Sequence, residues 1–509
     1  MTREQIFQQL SEQPEQNFDL VIIGGGASGA GLALEASHAG LKVLLLEAGD
    51  FMSGTSSRST KLLHGGVRYL EQAIKTLDWQ KYQLVKDALQ ERKQLMSMAP
   101  HLCRPLTLVT PCKNPFEQAY YYLGLQFYQW LAGKQKLGRV SRLSRATLQA
   151  CQPNLGAQYR SAVSYVDGQF DDARFGISML QTAQQLGAQL LNYCPVTKLH
   201  LRDGQVVGLS FRDELKHTEW QIQCSQIINA TGAFCDQIRQ LADPELPPLV
   251  SSSRGSHLVL PRKFLPTDQG LLIPNTSDGR VLFMLPWQDY CLLGTTDNES
   301  QASLEPQIPE QDIQYLLAEI RPHLKQRISK QDILGCFTGF RPLIQGLAGQ
   351  GSSKISRDHQ IHQDSNGLIS LIGGKWTTWR IMAQDCLAFA KQKFSLNLQQ
   401  PSQHYSLVGA QLGVPLQLAA DLEPSIAQHL LSQYGDQAQQ VMDLGPVEPI
   451  LAGHPYITNE LIWAYEQEFC HKIDDLIERR WRIGQQNAKL AAQLKDRISA
   501  LQLWPTGRR

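Results

Sequence analysis

No stretch of this sequence approaches the roughly 20 consecutive apolar residues that a transmembrane helix requires, so any attachment to a membrane is expected to be peripheral. The first seventeen residues carry Glu4, Glu12 and Glu15 and no long apolar run, which argues against a secretory signal. Net charge is scarce as well. At +1 the chain exerts no global pull on nucleic acid or on an acidic surface, and no nucleic-acid partner is expected. Ten cysteines are present, but no C-x-x-C pair or metal-ligand spacing relates them. They read as reduced, mostly buried thiols of a cytosolic chain, and no metal site is expected. Internal repeats and low-complexity segments are also missing. What is there, 42% hydrophobic residues in a chain of 509, is enough to fill two or three domains and too much for one ordinary core.

The most informative stretch is FDLVIIGGGASGAGLALEASHAGLKVLLLEA, residues 18–48. Its apolar run at residues 20–23 predicts a strand, which enters a glycine cluster where Gly24, Gly26 and Gly29 satisfy G-x-G-x-x-G. Residues 30–39 predict a helix of small and apolar residues, Gly40 ends it, and residues 42–46 predict a second buried strand ending in Glu47. Strand, glycines, helix, strand and acid in this register make a dinucleotide-binding βαβ unit. Gly24 allows the tight turn, Gly26 lets the backbone approach a pyrophosphate, and Gly29 lets helix and strand pack closely. The free N–H groups and positive dipole end of the helix then favour the phosphates, and Glu47 is placed to bond a ribose hydroxyl. The candidate set is Gly24, Gly25, Gly26, Ser28, Gly29, Ala30 and Glu47. The motif alone does not choose between FAD and NAD.

Three further stretches carry chemistry. Residues 55–73, TSSRSTKLLHGGVRYLEQA, place a dense set of hydroxyls before Lys61, His64, Gly65-Gly66 and Arg68-Tyr69. A plain loop accounts for the hydroxyls but not for a basic residue, a histidine and two glycines immediately before a helix. Residues 221–229 predict a strand running into Ala230-Thr231-Gly232, small residues where a nucleotide can approach the backbone. The chain before it predicts a helix end, a strand to Val196 and a hairpin turning at Asp203-Gly204. Residues 368–372 predict a strand that meets Gly373-Gly374, after which Lys375, Trp376, Thr377 and Thr378 open a helix, with the threonines as N-caps in the plain reading. A helix N-terminus with an adjacent lysine is also a preorganised positive site. No second dinucleotide fingerprint follows a strand, since Gly346, Gly349 and Gly351 are wrongly spaced and have no strand before them.

GGGASGAG followed by TSSRSTKLLHGGVRYL resembles the amino-terminal signature of the FAD-dependent, quinone-linked (aerobic-type) glycerol-3-phosphate dehydrogenases. Further similar motifs recur in family order: YVDGQFDDAR, IINATGAF, RGSHLVLP, LLGTTD, GFRPL, SRDH, GGKWTTWR and, near the carboxy terminus, ERRWRIG. The likeness runs from residue 18 to residue 485, with departures at the loop GLAGQGSSK around residues 346–351 and in residues 118–160. It implies an α/β fold: an FAD-binding Rossmann-like domain of the D-amino-acid-oxidase/glutathione-reductase type, an inserted α+β substrate domain and a helical C-terminal domain. The corresponding segments are 1–103, 161–245 and 331–398 for FAD, 104–160 and 246–330 for substrate, and 399–509 for the helical domain.

The resemblance also implies roles. Thr55, Ser56, Ser57, Lys61, Leu63, His64, Gly65 and Gly66 would lie along FAD, joined by Val196, Ala230, Thr231, Gly232, Gly374, Lys375, Trp376, Thr377 and Thr378. Arg68, Tyr69, His257, Arg341 and Lys375 would meet sn-glycerol 3-phosphate, with His257, Lys375 and Arg341 as the catalytic set. Arginine suits the phosphate because its planar fork gives bidentate, charge-assisted bonds; Arg341 is followed by Pro342, expected to stiffen a loop. His257 is the candidate base because imidazole titrates near working pH, and His64 competes for the role. The implied reaction removes the C2 hydroxyl proton and transfers hydride to flavin, giving dihydroxyacetone phosphate.

Electrons must then leave to quinone or oxygen. Residues 119–145 bear on that choice: aromatic residues in AYYYLGLQFYQWLAG precede Lys134, Lys136, Arg139, Arg142 and Arg145, and no Asp or Glu lies between Gln118 and Val166. Such a segment suits a lipid headgroup interface, or equally an aromatic core helix followed by a solvated basic loop. The expected location is the cytoplasm, peripherally attached to the inner face of the cell membrane. Beyond the break at Pro401, residues 416–434, interrupted at Pro424, and 459–494 predict helices with solvated charged faces, including Arg479-Arg480. That segment suits packing or oligomerisation, a homodimer being the candidate assembly. The rival functions are an oxygen-using glycerol-3-phosphate oxidase, an amine or amino-acid oxidase of the same fold, and a flavin-binding membrane-associated module without turnover.

Overall fold

The computed structural model describes residues 1–13, 18–66, 70, 78–224, 226–344, 359–394, 405–411 and 422–504. Its central strand is Leu20–Ile23, buried on both faces. It pairs in parallel with Val43–Leu46 on one side and Ile227–Asn229 on the other. The sheet continues outward to Gln189–Leu191 beyond Val43–Leu46, and to Ile369–Gly373 beyond Ile227–Asn229, all in parallel. An antiparallel edge strand, His359–Gln363, closes that side. Parallel strands covered on both faces read as continuous apolar runs, as Leu20–Ile23 and Val43–Leu46 do.

The helix Ala27–His38 begins three residues earlier than expected and packs against the helices Asp172–Gln185 and Trp379–Phe394. Its small residues make that approach possible, since a Cβ on Gly31 would lie 2.6 Å from the Trp379 ring. The hairpin at Asp203-Gly204 is present, with Arg202 opposite Gln205 and both turn residues at positive φ, as a two-residue turn requires. Val196 opens the first hairpin strand, Val196–Arg202, instead of ending the preceding one. The single strand expected over residues 221–229 is two strands. Thr218–Gln223 belongs to the three-stranded hairpin sheet and Ile227–Asn229 to the central sheet.

Among the described residues a second, larger sheet holds ten strands. Its long members are Cys103–Cys112 against Ser161–Phe170, and Val250–Pro261 between Tyr290–Gly294 and Gly335–Ile344. Two of these, Ser161–Phe170 and Gly335–Ile344, fall in segments expected with the FAD-binding part. Period-two alternation does not reveal which sheet a strand will join. The helix Pro115–Ala132 lies on this sheet, burying Leu125, Tyr128 and Ala132.

All ten cysteines are free thiols, and most are buried. The carboxy-terminal helices depart most from expectation. Pro424 starts the helix Pro424–Tyr434 instead of interrupting one. Residues 459–494 are broken into Thr458–Gln467, a π turn at Leu476–Arg480, Ile483–Gln486 and Ala488–Ala500. Glu466 and Asp474 are exposed as expected, but Glu468, Asp475, Arg479 and Arg480 are buried. Arg480 is fully buried with both guanidinium ends on Asp50, and Arg479 joins the same carboxylate and Asp475.

Burial alone would raise the Asp50 carboxyl, but the two guanidiniums outweigh it and hold its pKa below the usual value. A depressed carboxyl stabilises the fold above its unfolded pKa of about 3.9, and that stability is lost as the pH falls through the folded value. Arg480→Met is therefore expected to cost about 3 kcal/mol at neutral pH, and less as the medium is acidified. Urea melts of the two proteins across that range test it; an acid-independent difference contradicts it.

Candidate active site

Three strand ends converge on the amino end of helix Ala27–His38. Gly24 N–H donates to the Leu46 carbonyl and Ala230 N–H to the Ile23 carbonyl, each at 2.8 Å. Gly24 has φ +106°, and a Cβ there would lie 2.8 Å from the Ala230 oxygen. A Cβ on Gly29 would lie 1.7 Å from the Gly24 oxygen, so helix and strand meet at a separation only glycine permits. Gly26 is the N-cap and has no side chain to satisfy the helix amides. Ser28 is half-buried and Ala30 buried in the same turn. Glu47 accepts from Gly25 N–H at 2.6 Å and from Gly49 N–H at 2.9 Å. Burial raises its pKa against those bonds.

The hydroxyl-rich loop is clasped by segments far away in sequence. Ser56 Oγ accepts from Ala27 N–H at 2.8 Å. Thr55 Oγ1 donates to the Phe340 carbonyl at 2.6 Å, and Trp376 Nε1 donates to the Ser56 carbonyl at 2.8 Å. Lys61 is fully buried, its ammonium donating to the Ser57 carbonyl at 2.7 Å and to both oxygens of Asp172. Leu63 lies in the short strand Leu62–Leu63, opposite Gly168. Gly65 N–H donates to Tyr128 Oη at 2.7 Å, Gly66 has φ +85°, and His64 is half-buried beside them. Arg68 and Tyr69 lie outside the described residues.

His257 stands within Val250–Pro261, opposite Gly294 and Phe337. It is 2% exposed, its Nε2 is 3.0 Å from Thr60 Oγ1, and its ring stacks on Phe337 at 4.9 Å. Its Nδ1 has no hydrogen-bond partner among the described residues. Burial first, then the cations Lys61 and Arg341, hold its pKa well below the usual histidine value, so the ring is neutral at working pH. Arg341 lies in the strand Gly335–Ile344 opposite Ser253, not in a loop. Its Nη1 donates to Asp297 at 3.2 Å and its Nη2 to Thr295 Oγ1 at 3.0 Å.

Lys375 follows Gly373 and Gly374, both at positive φ, and is the N-cap of the 3₁₀ turn Trp376–Thr378. Thr377 and Thr378 are buried inside that turn and do not cap it. Thr231 Oγ1 donates to Asn229 at 2.7 Å and Gly232 has φ +59°. Val196 is half-buried at the mouth of the hairpin sheet.

Residues 19–380 match the FAD dependent oxidoreductase family, and residues 369–502 match the C-terminal domain of alpha-glycerophosphate oxidase. A mitochondrial glycerol-3-phosphate dehydrogenase of Arabidopsis thaliana is 36% identical over 94% of this chain and 81% of its own. The mitochondrial glycerol-3-phosphate dehydrogenase of Homo sapiens is 37% identical over 97% of this chain and 71% of its own. The chain belongs to the FAD-dependent glycerol-3-phosphate dehydrogenase family. Among solved structures, glycerol-3-phosphate dehydrogenase from Bacillus halodurans complexed with FAD superimposes with a TM-score of 0.76 at 25% identity, covering 98% of this chain and 92% of that one.

The dehydrogenase fold seen here fits FAD on its own terms. A Cβ at Gly26 would meet Ser56 Oγ at 2.9 Å, so this cradle is kept clear by glycine, and a glycine-capped helix end lies beside an acid at the tip of the second strand. The sequence reading missed Thr60, Asp172, Thr295, Asp297 and Arg482, all of which hold site residues. Asp172, Thr295, Asp297 and Arg482 lie in motifs noted for their resemblance, YVDGQFDDAR, LLGTTD and ERRWRIG, but only position in the fold assigns them a partner. Gly29→Ala forces an overlap expected to cost about 1–3 kcal/mol or more. It should purify with less than half the bound flavin of the parent, and a full complement of flavin at unchanged Tm contradicts that.

Proposed function

We propose that this chain oxidises sn-glycerol 3-phosphate to dihydroxyacetone phosphate and passes the electrons to a membrane quinone. The observation that carries the reading is a neutral, buried histidine one strand away from an arginine held by Asp297 and Thr295. When bound, FAD would supply the two-electron acceptor for the hydride that leaves C2. His257 takes the C2 hydroxyl proton; being neutral, it has the capacity to do so. Arg341, held by Asp297 and Thr295, receives the phosphate. Lys375 and the turn it caps would offer bound flavin positive charge to offset what it gains on reduction. Gly24 to Ala30, Glu47, the 55–66 loop and Ala230 to Gly232 hold the cofactor.

Oxygen is the second reading for the acceptor, favoured by the family match of residues 369–502, whose description names an oxidase. Quinone is preferred because the helix Pro115–Ala132 turns an apolar face outward: Phe116 is 87% exposed and Trp130 64%, with Tyr120 and Leu123 between them. Trp79, stacked on Tyr82, adds another exposed ring. Lys134, Lys136, Arg139, Arg142 and Arg145 are exposed next to this helix. Aromatic rings beside basic residues suit an anionic headgroup layer, and among the described residues no helix is long and apolar enough to cross a membrane. We place the chain on the cytoplasmic face of the cell membrane on this basis.

Three outcomes are expected. Arg341→Met should raise KM for glycerol 3-phosphate at least about tenfold; an unchanged KM contradicts the phosphate role. His257→Asn should slow flavin reduction by about 10²–10⁴-fold, and the parent's acid limb should lie below the ordinary histidine value of about 6.5, because the folded pKa is depressed. An unchanged rate and pH profile in that variant remove His257 from the role. Phe116→Glu with Trp130→Glu should abolish co-sedimentation with vesicles containing phosphatidylglycerol without altering bound FAD, and undiminished sedimentation contradicts the docking face.

A further inference from the structure

The ERRWRIG motif, residues 478–484, has no part in the reading above, yet its last arginine ends inside the catalytic half of the molecule. Arg482 is fully buried. One nitrogen, Nη2, reaches the Ser57 carbonyl at 2.8 Å, Asp172 Oδ1 at 2.8 Å and Gln485 Oε1 at 3.1 Å. Its Nε lies 3.5 Å from Asp171. The backbone here has φ +69°, a conformation non-glycine residues adopt only where their surroundings hold them. Asp172 and the Ser57 carbonyl are also the two partners of Lys61. Ser59 is bound to the same carboxylate through both N–H and Oγ, and Thr60, between Ser59 and Lys61, meets His257 Nε2. The Lys61 ammonium sits 4.8 Å above the Phe337 ring, on which His257 stacks.

We propose that Arg482 is a positioning residue for the oxidation: by clamping Asp172 and the Ser57 carbonyl it holds residues 57–61 so that Thr60 and Lys61 set the orientation and charge environment of His257. The inference rests on the reading of His257 as the proton acceptor. It gives the C-terminal helical segment a part, through residues 57–61, in the chemistry at His257.

Charge supports the geometry. Lys61 is faced by Asp171 and Asp172 from the start of helix Asp172–Gln185, by Arg482 from the C-terminal segment, by His257 from its strand, and by the Trp287 and Phe337 rings. Burial and then Arg482 bring Lys61 down to about 7 against the pull of the two aspartates. Its charge therefore changes near neutrality, and a neutral Lys61 leaves His257 the better base. Removing the Arg482 cation moves the Lys61 transition to higher pH.

The test uses holoenzyme and anaerobic stopped-flow reduction of the bound flavin by glycerol 3-phosphate across pH 6–9, with FAD content and Tm measured for every variant. Arg482→Met is expected to keep KM within about twofold of the parent while reduction at pH 7 slows about tenfold or more, and its pH profile moves alkaline by about one unit. Arg482→Lys, which returns a cation to the same acceptors, is expected to restore the rate to within about threefold and the parental profile. Thr60→Val removes the far end of the same linkage without touching the C-terminal segment. It should slow reduction comparably at unchanged Tm, and the double variant should be no slower than the worse single one, because coupled residues are not additive.

Arg482→Met reducing flavin at the parental rate and profile overturns the proposal, as do losses that multiply in the double variant. Should Arg482→Met fail to hold FAD, Thr60→Val decides alone, and a parental rate there overturns it. His257→Asn separates the two levels: a parental rate in that variant sinks the reading of His257 itself, whereas a loss there with none in Thr60→Val and Arg482→Met sinks only the role of Arg482.

Discussion

At Gly29 the backbone passes so near the Gly24 carbonyl that a Cβ would lie 1.7 Å from it, and the rest of the molecule is built out from that approach. It brings the start of helix Ala27–His38 down onto the end of strand Leu20–Ile23, between Val43–Leu46 and Ile227–Asn229. Glycine as N-cap offers the helix amides no side chain of its own, and the acid at the tip of the neighbouring strand lies beside the same turn. Every other segment of the site is held relative to this point. The 55–57 loop hangs from Ala27 on one side and from Phe340 and Trp376 on the other, which joins the nucleotide end to the sheet that carries His257 and Arg341.

Buried charge does the remaining joining. Two aspartates, Asp50 and Asp172, are removed from water, and each is met by two cations. A charge so buried tolerates no misplacement of its partners, because the desolvation cost is offset only at close range and in good geometry. The three arginines of residues 479–482 thus register the carboxy-terminal helices against the amino-terminal half. The same physics has the opposite sign at His257, which gains no carboxylate and is surrounded by cations, and so stays neutral.

Those parts of the fold governed by local rules were legible in the sequence. The βαβ unit, the Asp203-Gly204 hairpin and the paired glycines before Lys375 follow from periodicity and from positions that only glycine or a short polar residue tolerates. Family likeness carried the reading further, to FAD and to the substrate class. Long-range pairing was not legible. Nothing in the alternation of Ser161–Phe170 or Gly335–Ile344 shows which sheet receives it, and Arg341 therefore read as a loop residue. The charged run at residues 478–482 reads as a solvated helix face because composition reports charge and not the carboxylates waiting for it. Arg68, Tyr69 and the loop at residues 346–351 lie outside the described residues.

The most direct measurement is an anaerobic titration of the purified yellow protein with sn-glycerol 3-phosphate, followed by admission of either a soluble quinone analogue or oxygen. Bleaching of the flavin absorbance at one equivalent of substrate, with fast recovery on quinone and slow recovery on oxygen, is the result this account predicts. Fast recovery on oxygen would make the protein an oxidase. No bleaching at all would contradict the phosphate-substrate reading and the roles given to His257 and Arg341.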